Sequence, residues 1–423
     1  MPFNSRFIGI AAGWVLIAVA IICGFLISKA EDFNLIFLAA LVVLVGAMIL
    51  YSFRFGYWQI TCSRILLGCL FIFSGFVKGA DPLGFQYRLE DYFIAFGTDW
   101  AIPFALPFAI IAITIEFLAG VLLLLNVCTR FTSWLVMVMM VFFTGLTLND
   151  AISNPVPDCG CFGDAVKLTN WQTFYKNLVI DSLLMIVFLS RKRMRGWFKR
   201  GGEWLIAALA LIGIVWFQVH CIRHLPVIDF SDWKAGKKMV VEDVKPVRIF
   251  LKYRNKDSGE EEVFLSPNYP FNDSTWLGKW EFVSQRVDDP NPRLHNLKIE
   301  DAERNDFTES ILGNPGYQFI LISSDLLKAN PKGLKKAMSL GSDCQSNGID
   351  FAILTASIPE EVEIVRSRLD YQPLIYYADD IELKIMVRSN PGLLLMQDGT
   401  ILGKWHYNDI LEFSEYSKEF EIQ

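Results

Sequence analysis

Long apolar runs fill the chain up to about Cys221, and after it charged residues return at ordinary density. A helix needs about twenty apolar residues to cross the hydrocarbon of a bilayer. That measure predicts about seven spans, at residues 8–27, 35–53, 57–77, 102–127, 131–148, 171–189 and 204–219. Four of these carry no charge. The third holds Arg64, the fourth Glu116, and the sixth Lys176 near one end and Asp181 near its middle. The change of pattern marks a domain boundary, and the second half is long enough to bury a core of its own. There, strand-like runs alternate with helical ones: 317–323 before 332–338, 351–357 before 359–370, and 373–377 before 379–386. Two short strands then form a hairpin across Gln397-Asp398-Gly399-Thr400. This alternation predicts an α/β layer fold with parallel pairings. Residues 247–253 and 262–265 are candidates to pair across Asp257-Ser258-Gly259, and Pro267, Pro270, Pro290 and Pro292 suggest an irregular surface segment.

Orientation follows from Lys and Arg in the short loops. The cluster RKRMRGWFKR, residues 191–200, is expected in the cytoplasm, which also places Arg54, Arg130 and the N-terminus with Arg6 inside. Residues 29–34, 81–101, 149–170 and everything beyond 219 then lie outside. The expectation is a multi-pass protein of the cytoplasmic (inner) membrane with a periplasmic C-terminal domain. Ser28-Lys29-Ala30 loosely resembles a signal-peptidase site, but the run before it is long for a signal peptide and reads as a retained anchor.

Composition agrees: 53% of residues are hydrophobic and the mean hydropathy is +0.34, too apolar for an ordinary soluble enzyme. The net charge of −6 argues against a nucleic-acid partner. Of eight cysteines, only Cys159 and Cys161 form a close pair, so the chain is not a small disulfide scaffold.

Charges inside a bilayer are costly and are usually paired or functional. Arg64 and Glu116 both fall in the inner half of their spans, where they read as an ion pair joining two helices or as a proton or substrate site. Asp181 lies four residues after Asn177 on one helical face and reads as a carboxylate bonded to Asn177 or to a neighbouring helix. Lys176, near the interface, can snorkel.

The most informative stretch is NPVPDCGCFGD, residues 154–164, a constrained turn just before the sixth span. Thr169-Asn170-Trp171-Gln172 reads as a capping box opening that helix. Two thiols two residues apart can close a very small, strained and therefore reducible disulfide. Asp158 and Asp164 oppose this by disfavouring the thiolate. A structural bridge is a second reading. A metal site joining Cys159 and Cys161 to His220, Cys221 and His224 is a third, though no spacing here is a specific metal signature.

RILLGCLFIFSGFVKGADPLGF (residues 64–85), TIEFLAGVLLLLNVCTR (114–130) and DCGCFGD (158–164) together resemble the DoxX and MauE group, a four-helix membrane module often described as redox-associated. The resemblance covers about residues 58–190 and implies that Arg64, Lys78, Glu116, Cys159 and Cys161 occupy family motif positions. The order of elements after Gly313 is similar to a thioredoxin-like domain, with Asn390-Pro391 at the place of that fold's cis-proline. Its active-site Cys-x-x-Cys is replaced by Ser323-Ser324-Asp325-Leu326. Cys344, alone in this half, reads as a small buried residue before an Asn347-Gly348 cap.

The expected fold is thus an α-helical membrane bundle plus an extracytoplasmic α/β thioredoxin-like domain. Its parts are two leading helices (1–56), the four-helix module (57–190), a basic loop with the seventh span (191–221), a linker and β-rich segment (222–312), and the thioredoxin-like domain (313–423). The leading functional expectation is thiol–disulfide exchange or electron transfer at Cys159/Cys161, with the domain docking an extracytoplasmic protein. The alternatives are an envelope assembly factor with structural cysteines, and transport through the bundle, which the lack of an obvious inverted repeat disfavours. No cofactor is evident, and the residues neither require nor rule out a quinone.

Overall fold

The computed structural model describes residues 55–156, 160–166, 168–240, 248–288, 297–369 and 371–422. The expected spans at 8–27 and 35–53 lie outside the described residues. The chain divides into two compact units, Met1–Ser231 and Asp232–Gln423.

In the first unit, α1 (Tyr57–Ala80) is followed by α2 (Pro82–Ala95), a 3-10 segment (Asp99–Phe104), α3 (Ala105–Leu124), α4 (Thr129–Ser153), α5 (Asn170–Ser190) and α6 (Arg200–Arg223). Among the described residues five helices are long and apolar enough to cross a membrane: α1, α3 with its 3-10 lead-in, α4, α5 and α6. The stretch 81–101, expected as a loop, contains α2. Asp81 caps it by accepting from the Gly84 amide at 2.9 Å, and Pro82 sits at the first turn, where its missing N–H costs nothing. At α5, Thr169 and Gln172 form the reciprocal capping box.

Three glycines set how closely α1 and α3 approach. A Cβ on Gly68 would lie 2.8 Å from the Leu124 amide nitrogen, one on Gly75 2.8 Å from that of Phe117, and one on Gly120 2.6 Å from that of Ile72. The register descends along α3 as it rises along α1, so the two helices run antiparallel. Small residues at such a seam let backbones meet where no hydrophobic force drives helices together. Leu67 and Phe71 of α1 and Ala119 and Leu123 of α3 then pack with Val136 and Met140 of α4 and Ile180, Leu184 and Val187 of α5. α6 is joined to α1 and α3 by a Phe76–Phe217 stack and a Gln218-to-Thr114 hydrogen bond of 2.9 Å.

The second unit holds two sheets. β1 (Arg248–Asn255), β2 (Glu261–Leu265) and β3 (Trp280–Asp288) form an antiparallel sheet in the order β2-β1-β3, with the short helix α7 (Ser274–Lys279) before β3. α8 (Thr308–Leu312), β4 (Gln318–Ser323), α9 (Pro331–Ser346), β5 (Asp350–Thr355), α10 (Pro359–Arg366), β6 (Leu374–Tyr377), α11 (Asp380–Met386), β7 (Gly392–Gln397), β8 (Thr400–His406) and α12 (Phe413–Glu419) follow. Their sheet runs β6-β5-β4-β7-β8, with β4, β5 and β6 parallel and β7 and β8 antiparallel. All six residues of β4 are buried, as a central strand covered on both faces requires. Phe319, Leu321, Ile353, Leu393 and Leu395 pack against Ala337, Leu340 and Cys344 of α9 and Tyr416 of α12. The β7–β8 turn places Asp398 and Gly399 at φ +46° and +71°, the left-handed pair a two-residue hairpin needs. Both edges carry backbone bonds: Lys238 bridges to Thr400 on β8, and Glu300 to Tyr377 on β6.

Gly120→Leu must push α1 and α3 apart, because its Cβ meets backbone. We expect a loss of about 1–3 kcal/mol or more in thermal unfolding of the full chain in detergent. Gly145→Leu, whose Cβ meets nothing within 4 Å, serves as the matched control and should lie close to the parent.

Candidate functional site

The glycine seam decides which charges meet. Lys78 of α1 is paired with Glu116 of α3, and the two are only 5% and 6% exposed. Arg64 is not the partner of Glu116. Its Nη1 donates to the Leu123 and Leu124 carbonyls, the second at 2.6 Å, and its guanidinium lies 4.9 Å from the Trp197 ring centre. The reason is axial. Lys78 and Arg64 are separated by fourteen residues, about 21 Å of helix rise. In the antiparallel register Arg64 therefore reaches the last turn of α3, whose orphan carbonyls attract a cation. In the sequence Lys78 falls one residue past the apolar run that ends at Val77. The helix continues through it to the Asp81 cap and keeps it inside the bundle.

Beside the pair lies a cavity of about 810 Å³, lined by α1 to α5 and by the cysteine loop. Its walls are mostly Phe, Leu, Ile and Met, with Ser74, Lys78, Glu116, Thr147, Lys176 and Asn177 as polar points. Cys161 and Phe162 form part of its wall. Phe96, just after α2, Phe108 and Ile111 of α3, and Val138 and Phe142 of α4 all line the cavity and expose about half of their surface or more.

The loop is pinned onto the bundle at several points. Ser74 donates to the Cys161 carbonyl at 2.7 Å. Phe162 lies 5.8 Å from the Phe73 ring and beneath the Lys176 ammonium, 4.5 Å away. Gly160 and Gly163 adopt φ +62° and +52°, and a Cβ on Gly160 would meet the Arg88 side chain at 3.0 Å. The two glycines of the motif thus allow the left-handed turns that lay Cys161 against the helices. Upstream, Asn170 donates to the Asn154 side chain at 2.7 Å and to the Val156 carbonyl at 3.0 Å. Cys159 lies outside the described residues.

The other expected residues are placed as follows. Asp181 accepts from Thr144 of α4 at 2.8 Å. Asn177 does not bond Asp181; it donates to Thr147 at 3.1 Å, since both side chains turn to α4 and not along their own helix. Tyr92 donates to buried Asp150 at 2.6 Å, a contact between α2 and α4 without a sequence signal. His220 and His224 lie 4.8 Å apart, ring centre to ring centre, and Cys221 between them is buried. Among the described residues no group of three or more His, Cys, Asp or Glu is placed to hold a metal.

In the second unit the Asn390–Pro391 bond is cis. The Ser323–Leu326 segment is tied to it and to its surroundings: Ser323 donates to Asn390 at 2.6 Å, Asn390 to the Asp325 carbonyl at 2.8 Å, and the Leu326 amide to Ser357 at 2.9 Å. Cys344 is fully buried in α9, far in sequence from this segment, and burial pushes its thiol up to about 12.

Residues 56–190 match the model of the family described as methylamine utilisation protein MauE. The match runs from α1 to α5 and leaves out α6 and the α/β unit, so the similarity is that of the membrane module. No curated protein and no solved structure matches the chain.

The Lys78–Glu116 pair is testable by a double-mutant cycle read by thermal unfolding. Glu116→Gln alone strands a buried ammonium and is expected to cost roughly 3–5 kcal/mol, whereas Lys78→Met together with Glu116→Gln recovers most of it. Arg64→Gln combined with Glu116→Gln should give additive losses. For Cys344, the raised pKa means the neutral thiol persists well above the range of an ordinary cysteine. Alkylation of the native protein should leave it unlabelled at pH 9 and label it only after denaturation.

Proposed function

We propose that the protein is a multi-pass redox protein of the cytoplasmic membrane whose Cys159/Cys161 pair exchanges disulfides with a partner outside the cytoplasm. In an exchange cycle one thiolate of the pair attacks a partner disulfide. The partner's leaving sulfur takes a proton, and the second cysteine resolves the mixed disulfide, leaving the pair oxidised and the partner reduced; the reverse sequence oxidises a partner. The observation that carries this reading is Cys161 in the wall of a cavity that also holds the Lys78–Glu116 pair. A stapling bridge needs no such cavity. The loop is anchored through its backbone at Ser74, a contact that does not engage the Cys161 sulfur.

The basic stretch 191–200 supports an orientation with this loop on the outer face. The α/β unit supports a docking role: its mixed sheet and cis Asn390–Pro391 favour a thioredoxin-like reading, in which Ser323-Ser324-Asp325-Leu326 stands where a dithiol would be. A redoxin scaffold without thiols can hold a partner but cannot exchange electrons with it. The description of the matching family supplies a metabolic setting, methylamine utilisation, and names no reaction.

Differential alkylation of intact membranes tests the reading. Mild reductant should raise labelling at Cys159 and Cys161 while Cys344 stays silent. A Cys159→Ser variant should trap a mixed disulfide through Cys161. Thiols that remain unlabelled until denaturation would make the pair structural, and an assembly factor acting through its docking domain would become the better account.

A further inference from the structure

We propose that the cavity lined by α1 to α5 binds a long-chain fatty acid whose carboxylate is held by Lys176; this stands apart from the cysteine chemistry proposed above. The charge inside the cavity is the first argument. Three charged side chains line it: Lys78, Glu116 and Lys176. Lys78 and Glu116 neutralise each other. Lys176 places its ammonium 4.5 Å from the centre of the Phe162 ring, itself part of the cavity wall, and among the described residues no oxygen accepts from it. A ring face attracts an ammonium but supplies no oxygen to its three N–H donors. The lining therefore carries one net positive charge, and its unanswered donors select a single anionic head. An ionisable group kept inside a membrane bundle commonly marks such a site.

The second argument is the shape of the lining. Its polar end lies where the cysteine loop meets the bundle: Ser74 holds the Cys161 carbonyl, and Lys176 holds the Phe162 ring. Away from the loop the walls turn apolar. Leu70 and Phe71 lie a turn further along α1, and Ile180 a turn further along α5. Met139 and Met140 of α4 lie about 20 Å of helix rise from the loop end of that helix at Ser153. One charged end and a long apolar body describe a single-chain amphiphile. A volume of about 810 Å³ falls in the range of small-molecule sites.

The surroundings are the third argument. Phe108 and Ile111 of α3 and Val138 and Phe142 of α4 line the cavity and are also exposed, on helices long enough to cross a bilayer. Acyl chains are what such side chains meet there. A neutral amphiphile would leave the Lys176 ammonium without a counter-charge in an apolar chamber, and a cationic one would be repelled. A phospholipid brings an anion but has a second chain to seat in a cavity of this size. A fatty acid answers both ends with one chain and one carboxylate.

The test uses the full chain in phosphatidylcholine nanodiscs and a palmitate carrying a diazirine near its methyl end. Photolabelling should fall on peptides holding Leu70 and Phe71 of α1 and Met139 and Met140 of α4, the apolar end of the cavity. Oleate should compete, and oleyl alcohol and phosphatidylglycerol should compete roughly tenfold less well, the scale of one charge-assisted hydrogen bond. Lys176→Gln should weaken oleate binding by a similar factor with thermal unfolding close to the parent, and Lys176→Arg, which keeps the charge, should restore it. Labelling confined to other peptides, or oleyl alcohol competing as well as oleate, overturns the proposal. Phosphatidylglycerol competing better than oleate overturns the fatty acid and assigns the cavity to a phospholipid. Lys176→Gln that folds and binds oleate like the parent overturns the role of Lys176. The headgroup comparison is made on the unaltered protein, so it decides even where Lys176→Gln folds poorly.

Discussion

The membrane unit depends on the close approach of α1 and α3 at Gly68, Gly75 and Gly120. With any larger side chain at these positions the two backbones would have to separate, since the intruding Cβ meets main-chain atoms and not the end of a flexible side chain. In a bilayer this approach cannot be replaced by hydrophobic force, because lipid is as apolar as the helix faces. Two consequences follow from one register. Arg64 lands on the final carbonyls of α3, and Lys78 lands beside Glu116. The cavity lies against the same pair.

A buried ion pair is weak grounds for stability, since desolvating two charges can cost as much as their attraction returns. Lys78 and Glu116 are better understood by what they place in the cavity: a fixed, locally neutral polar point among Phe, Leu and Met side chains. The cysteine loop is fitted to that cavity by different means. Its glycines permit left-handed backbone, Ser74 holds the Cys161 carbonyl, and Phe162 is held between Phe73 and Lys176. Residues distant in the chain thus share one chamber.

The α/β unit solves a different problem. Its central strand is buried on both faces, its outer strands carry bridges from Lys238 and Glu300, and the segment after β4 is closed by hydrogen bonds to Asn390 and Ser357. Nothing in that closed segment offers a thiol, and Cys344, deep in α9, is held neutral by burial. In the proposed reading the chemistry stays in the membrane unit and recognition is left to this one.

What the sequence determined by itself was local. Apolar length marked α1, α3, α4, α5 and α6, because the cost of carrying a bare backbone or a charge through hydrocarbon is written into each span. Turn chemistry marked the Thr169 capping box, the Asp398-Gly399 hairpin and the stop at Asn347-Gly348, since these depend on a few adjacent residues. What only the tertiary structure decided was partnership. Depth alone pairs Arg64 with Glu116, yet the tertiary packing gives Glu116 to Lys78 and Asn177 to Thr147. The strand Trp280–Asp288 lacks a clean alternation and became legible only through its pairing with β1. The cavity had no sequence signature at all, because an empty volume belongs to five helices at once and its walls read, one helix at a time, as ordinary lipid-facing or core residues.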